Sequence, residues 1–126
     1  MEKSTLVIGA HISQDRYANK AVRSLVQHKQ SVIAYGNSTG FIDDIKIENS
    51  WDPNWNIDTI TLYINPLIQE SYYQKIINLH PRRVIFNPGT ENEEFMKLLS
   101  LNGIISEVAC TLVLLSIGQY DDTKNT

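Results

Sequence analysis

The chain has one cysteine, Cys110, among 126 residues, which excludes an intramolecular disulfide. It also has no long apolar run. The stretch before Gly9 is too short for the core of a secretory signal, and no later stretch is long enough to cross a bilayer. A cytoplasmic protein without a membrane segment is therefore expected, and the sequon Asn37-Ser38-Thr39 carries no meaning there. Neither charge sign is in large excess. A formal charge of −3 gives no electrostatic reason to bind nucleic acid or an anionic membrane, so an anionic ligand would have to be held by local donors. The three histidines, His11, His28 and His80, are scattered without metal-ligand spacing, and no metal site is expected.

What is present is an ordinary globular balance, with 42% hydrophobic and 20% charged residues. The length suits one domain, read as residues 1–120, with a polar tail at 121–126. Short β-branched runs alternate with helical stretches. Leu6-Val7-Ile8 is continuously apolar and predicts a strand buried on both faces, ended by Gly9. Ala18, Ala21, Val22, Leu25 and Val26 follow at the spacing of one buried helix face, from about Tyr17. Val32-Ile33-Ala34-Tyr35 predicts the second strand, closed by Gly36, and Ile45 and Ile47 suit a short extra one. Trp51 and Trp55 flank a turn at Asp52-Pro53-Asn54.

The third strand is expected over 58–64. Asn65 then caps a helix with Pro66 at its first position, and that helix ends before His80-Pro81. Val84-Ile85-Phe86 predicts the fourth strand. Thr90-Glu91-Asn92-Glu93 matches a capping box, which opens a helix that Asn102-Gly103 ends. Residues 104–108 predict the fifth strand and 110–117 a last short helix. Together these imply an α/β fold of the Rossmann-like three-layer kind, with a five-stranded, mainly parallel sheet and helices on both faces. In such sheets a ligand sits at the carboxyl ends of the strands, where the strand order reverses.

The loops at those ends carry the candidate residues. Residues 9–16 join the first strand to the first helix, where Gly9 allows close backbone approach and the helix terminus favours phosphate. Ser13 can donate a hydroxyl and Arg16 can pair with a phosphate, although Asp15 adds negative charge at the same place. The structural alternative is that Gly9 only makes the turn and that Ser13 or Asp15 caps the helix. A dinucleotide site is disfavoured: the loop has one glycine instead of G-x-G-x-x-G, and no carboxylate follows the second strand until Asp43. Asn65-Pro66 and Asn87-Pro88-Gly89-Thr90 can wall a ligand or simply cap helices. Cys110 at a helix start can be an activated thiol or a small buried apolar group. Glu107 can reach the cleft from the end of the fifth strand, and His11 lies in it. Tyr72, Tyr73, Trp51 and Trp55 read as packing residues.

Leu6-Val7-Ile8-Gly9-Ala10-His11-Ile12-Ser13-Gln14-Asp15-Arg16-Tyr17 resembles the opening of the small CoA-binding-domain proteins, a V-x-G-A-S loop followed by an arginine. Thr61-Leu62-Tyr63-Ile64-Asn65-Pro66, Phe86-Asn87-Pro88-Gly89-Thr90-Glu91-Asn92 and Glu107-Val108-Ala109-Cys110-Thr111 resemble a bacterial branch of that family. The resemblance covers roughly residues 5–120. It implies a Rossmann-like domain similar to the CoA-binding part of the succinyl-CoA synthetase α-subunit, with coenzyme A as ligand. It further implies that Gly9, Ala10, Ser13, Arg16 and Tyr17 lie at the phosphates, Gly36 and Asn37 at the adenosine end, and Asn65 and Pro66 along the cleft; His11, by its place in the same loop, is a candidate ligand contact. Two departures stand out. His11 replaces the serine of the pattern, and Lys29-Gln30 replaces a glycine-containing turn.

Three functions follow as expectations. The first is a module that binds CoA or an acyl-CoA without catalysis, since the domains that carry the synthetase chemistry are not in this sequence. The second is an enzyme acting on a CoA thioester through Cys110, Glu107 or His11. The third is an interaction subunit with a vestigial nucleotide pocket. A homo-oligomer or a protein partner is compatible with each.

Overall fold

The computed structural model describes residues 3–121; of the expected tail at 121–126, residues 122–126 lie outside the described residues. The strands are β1 (Ser4–Ile8), β2 (Val32–Tyr35), β3 (Phe41–Ile42), β4 (Ile45–Glu48), β5 (Ile57–Leu62), β6 (Arg83–Phe86) and β7 (Ile105–Val108). The helices are α1 (Tyr17–Gln27), α2 (Pro66–Gln69), α3 (Tyr73–Asn78), α4 (Glu93–Leu101) and α5 (Thr111–Ser116). The sheet order is β3-β4-β2-β1-β5-β6-β7, and every pairing is parallel except β3 with β4.

The continuously apolar strands are explained by a core on each face. Leu6, Ile8, Ile60, Leu62 and Phe86 point to the layer holding Ile76 of α3 and Phe95 and Leu99 of α4. Val7, Ala34 and Ile85 point the other way, to Val22 and Leu25 of α1 and Leu115 of α5. Side chains alternate along each strand, so neighbouring residues of one run serve opposite cores. Truncating a fully buried member such as Leu25 or Phe95 to alanine costs about 3–5 kcal/mol.

The three-layer Rossmann-like architecture is as expected, and four local features correct the reading from sequence. The sheet has seven strands, because Phe41–Ile42 folds back on Ile45–Glu48 and the latter pairs with β2. The helix after Asn65 is broken into α2, a 3₁₀ turn at Glu70–Tyr72, and α3. The break follows Gln69, whose buried side chain donates to the carbonyls of Ile64 and Thr90 and accepts from Asn92. These tertiary bonds outweigh local helix continuity.

The capping box does not form. The Thr90 hydroxyl donates to the Asn87 carbonyl at 2.7 Å, and α4 is capped by Asn92, whose Oδ1 accepts from the Phe95 amide at 3.1 Å. Likewise neither Ser13 nor Asp15 caps α1: Arg16 occupies the N-cap position, and its side chain makes no capping hydrogen bond. By contrast Asn65 caps α2 as expected, accepting from Ile68 at 2.9 Å. The turn that lacks its glycine puts Lys29 at φ 61, in the left-handed region.

Candidate functional site

The order of the sheet reverses between β2 and β5 on either side of β1, and the carboxyl ends of these three strands frame a cleft. Two glycines bring their loops together. Gly9 has φ 99, and a Cβ there would lie 2.9 Å from the Tyr63 carbonyl oxygen after β5. At Gly36 a Cβ would lie only 2.1 Å from the Ala10 carbonyl oxygen, so the loops after β1 and β2 touch through their backbones. The amides of Gly9 and Ala10 both donate to the Tyr35 carbonyl, at 2.9 and 3.0 Å.

The cleft between these loops has a volume of about 220 Å³. Six of the ten candidate residues line it: Gly9, Ala10, His11, Arg16, Gly36 and Asn37. Arg16 is exposed and has no ion-pair partner among the described residues. The Gly9 and Ala10 amides are already used, so the donors this loop offers an anion include the Arg16 guanidinium and the uncapped first turn of α1. Nδ1 of His11 accepts from the Ser13 amide at 3.0 Å, which leaves Nε2 as the ring's donor. Asp15 does not line the cleft.

The other four candidates lie elsewhere. Ser13 is turned to His11 through its amide, Asn65 and Pro66 open α2 as cap and first residue, and Tyr17 lines a neighbouring cavity. The far wall of the cleft comes from residues that sequence reasoning missed: Tyr35, Tyr63, Ile64, Ile68 and Tyr72. Tyr35 packs edge-on against Trp51, Trp55 and Tyr72, so the expected packing role of the tryptophans holds while Tyr72 also reaches the cleft. The Tyr35 and Tyr72 hydroxyls are 3.1 Å apart, and burial, then this bond, pushes the Tyr35 pKa up to about 12.

Support from behind is also non-local. Buried Asn19 of α1 donates to the His11 carbonyl at 2.8 Å and accepts from Arg23, which in turn donates to the Gln14 carbonyl. Asn49 donates to the carbonyls of Gly36 and Ser38 at 2.7 and 2.9 Å, pinning the loop after β2. A polar residue on the otherwise apolar face of α1 was the one sequence signal for Asn19.

Beside the cleft lies an apolar cavity of about 280 Å³, lined by Tyr17, Tyr63, Asn87, Pro88, Cys110 and Leu112. Tyr63 is the wall common to both spaces. Its hydroxyl is buried, which pushes its pKa up and keeps the phenol protonated. Asn87 holds the cavity floor. Its amide donates to the Thr61 hydroxyl and the Leu62 carbonyl, and its oxygen accepts from the Thr111 amide at the start of α5.

Cys110 is half-buried in this cavity, and no histidine or carboxylate lines it. Glu107 does not reach the cleft: it lies within β7, and its carboxylate pairs at 2.9 Å with Arg83, which is fully buried. Among the described residues no group of three or more His, Cys, Asp or Glu is placed to hold a metal. No helix among them is long and apolar enough to cross a membrane.

A family model described as a CoA binding domain matches residues 3–116. No curated protein matches. Among solved structures, a crystal structure of an uncharacterized protein is 45% identical with a TM-score of 0.89, over 94% of this chain and 98% of that one. A hypothetical protein from Pyrococcus horikoshii OT3 is 24% identical, with a TM-score of 0.77 over 89% of this chain and 80% of its own. A conserved hypothetical protein from Pyrococcus furiosus is 20% identical, with a TM-score of 0.76 over 88% and 97%. The latter two likenesses bear on the fold alone.

Proposed function

The chain belongs to the CoA-binding domain family, and from that premise we propose that it binds coenzyme A or an acyl-CoA in the cleft at the ends of β1, β2 and β5. Residues 1–120 act as one binding domain, without catalysis of its own. Gly9, Ala10, His11 and Arg16 meet the phosphates, and Gly36 and Asn37 lie at the adenosine end. The observation that carries this reading is the convergence of these six residues on one cleft at the point where the strand order reverses.

The chemistry of recognition follows from the donors. Arg16 supplies a charge-assisted contact to a phosphate, for which the guanidinium fork suits a bidentate geometry. The α1 terminus adds partial positive charge and unsatisfied amides. His11 offers Nε2–H to a phosphate oxygen, a longer-reaching donor than the serine of the family pattern. Neutral Asn37 at the end of the second strand suits a phosphorylated ribose better than a carboxylate would. Of the remaining candidates, Tyr17 serves the edge of the site, while Ser13, Asn65 and Pro66 act through the loops they shape.

Catalysis through Cys110 lacks a partner base in its cavity, and catalysis through Glu107 lacks access. Titration of the purified chain with CoA and dephospho-CoA tests the reading. CoA is expected to bind, and Arg16→Ala to weaken it. An unchanged affinity in that variant would remove Arg16 from the phosphate site.

A further inference from the structure

The strand order sets a direction along the sheet's carboxyl edge. Asn37 follows β2, Gly9 to Arg16 follow β1, Tyr63 follows β5, Asn87 and Pro88 follow β6, and Cys110 and Leu112 follow β7. These strands are consecutive neighbours in the order β2-β1-β5-β6-β7. A ligand with its adenosine end at Asn37 and its phosphates at the β1 loop therefore extends its remaining arm past Tyr63, toward β6 and β7. The apolar cavity begins there, with Tyr63 as the shared wall.

We infer that this cavity takes the acyl group of a short, uncharged acyl-CoA, so that the protein discriminates an apolar thioester from free CoA. The inference rests on the reading of the cleft as a CoA site. The lining argues for the class of acyl group. Tyr17, Tyr63, Pro88, Cys110 and Leu112 bring no formal charge, and the polar groups of Asn87 are already bonded to Thr61, Leu62 and Thr111. The Tyr63 hydroxyl is buried, uncharged and without a hydrogen-bond partner among the described residues. No lining side chain supplies a counter-charge to a carboxylate carried into this cavity, the Lys20 ammonium standing outside the lining, 5.1 Å from the centre of the Tyr17 ring, and desolvation of the carboxylate would oppose binding.

The volume argues for the length. About 280 Å³, at roughly 30 Å³ for a water-sized group, holds the thioester end of the arm and an acyl chain of about four carbons. Each buried methylene is worth a factor of roughly four in affinity until the space is filled.

Calorimetric titration of the whole chain with CoA, butyryl-CoA and succinyl-CoA tests this, since the two acyl groups match in carbon number and differ in charge. Butyryl-CoA is expected to bind about tenfold or more tighter than CoA, and succinyl-CoA no tighter than CoA. Cys110→Phe, which fills the cavity, should bring the butyryl-to-CoA affinity ratio toward one, whatever it does to each affinity alone. In the wild-type chain butyryl-CoA should also slow alkylation of Cys110 by iodoacetamide, a readout that does not depend on the variant folding. CoA binding with no butyryl preference, a succinyl preference, or unslowed alkylation would overturn the inference while leaving the cleft reading intact. Failure of CoA and both thioesters to bind would overturn the two together.

Discussion

Replacing Gly36 with alanine should separate the two loops that build the cleft. The added Cβ would stand 2.1 Å from the Ala10 carbonyl oxygen, 3.0 Å from its carbon and 3.1 Å from its nitrogen. All three are backbone atoms, so no side chain can rotate out of the way. Restoring a contact of about 3.5 Å requires the loops to part by more than ~1 Å. That movement pulls the Tyr35 carbonyl from the Gly9 and Ala10 amides, now at 2.9 and 3.0 Å. Two lost hydrogen bonds at about 1 kcal/mol each and an overpacking cost of about 1–3 kcal/mol give about 3–5 kcal/mol in all. For a domain of this size the melting temperature should fall by roughly 10–20 °C. Urea unfolding and a thermal scan measure the loss, with Gly118→Ala as reference. Gly118, unlike Gly36, has a positive φ, 73, but nothing lies within 4 Å of an added Cβ, so only the backbone strain of about 1 kcal/mol applies. A Gly36→Ala chain as stable as Gly118→Ala, with CoA affinity intact, would mean that backbone contact at this glycine does not hold the two loops together.

Four further outcomes are expected. Arg16→Ala should weaken CoA binding about 10- to 100-fold while leaving the urea midpoint unchanged, because Arg16 is exposed; titration and unfolding together check it. Asn87→Ala leaves the Thr111 amide and the Leu62 carbonyl without their partner and should cost about 2–4 kcal/mol by urea unfolding. Lys29→Gly should stabilise the chain by about 0.5–1 kcal/mol, since relief of the left-handed backbone exceeds the entropy glycine adds to the unfolded state. Tyr35 contributes stability that is fully present below pH ~10 and is lost as pH rises through its folded-state pKa of about 12, because the unfolded phenol gives up its proton first. Denaturant midpoints measured across that window should fall less steeply for Tyr35→Phe.

The sheet was legible because its central strands are buried on both faces and read as unbroken apolar runs, as in Leu6-Val7-Ile8 and Val84-Ile85-Phe86. The hairpin of β3 and β4 was only half legible. Two residues, Phe41 and Ile42, carry no periodicity, and their pairing depends on β2 being in place. Local chemistry misled where a side chain had a choice of partners. Thr90 can cap a helix, but its hydroxyl bonds Asn87 instead, and Gln69 breaks a helix through bonds to residues 5, 21 and 23 positions away. The glycines of the cleft stood out because each follows a strand. Tyr35, Tyr63 and Tyr72 did not, since their convergence is a property of the strand order. Glu107 was misplaced for the complementary reason: nothing in its neighbourhood announces the buried Arg83, which lies 24 positions earlier and one strand away.

The most direct test of the account is calorimetric titration of the purified chain with CoA, dephospho-CoA and NAD under one set of conditions. CoA should bind, loss of the 3′-phosphate should weaken binding, and NAD should be the weakest of the three. NAD binding as tight as CoA, or no binding of any of them at millimolar ligand, would contradict the assignment of the cleft to coenzyme A.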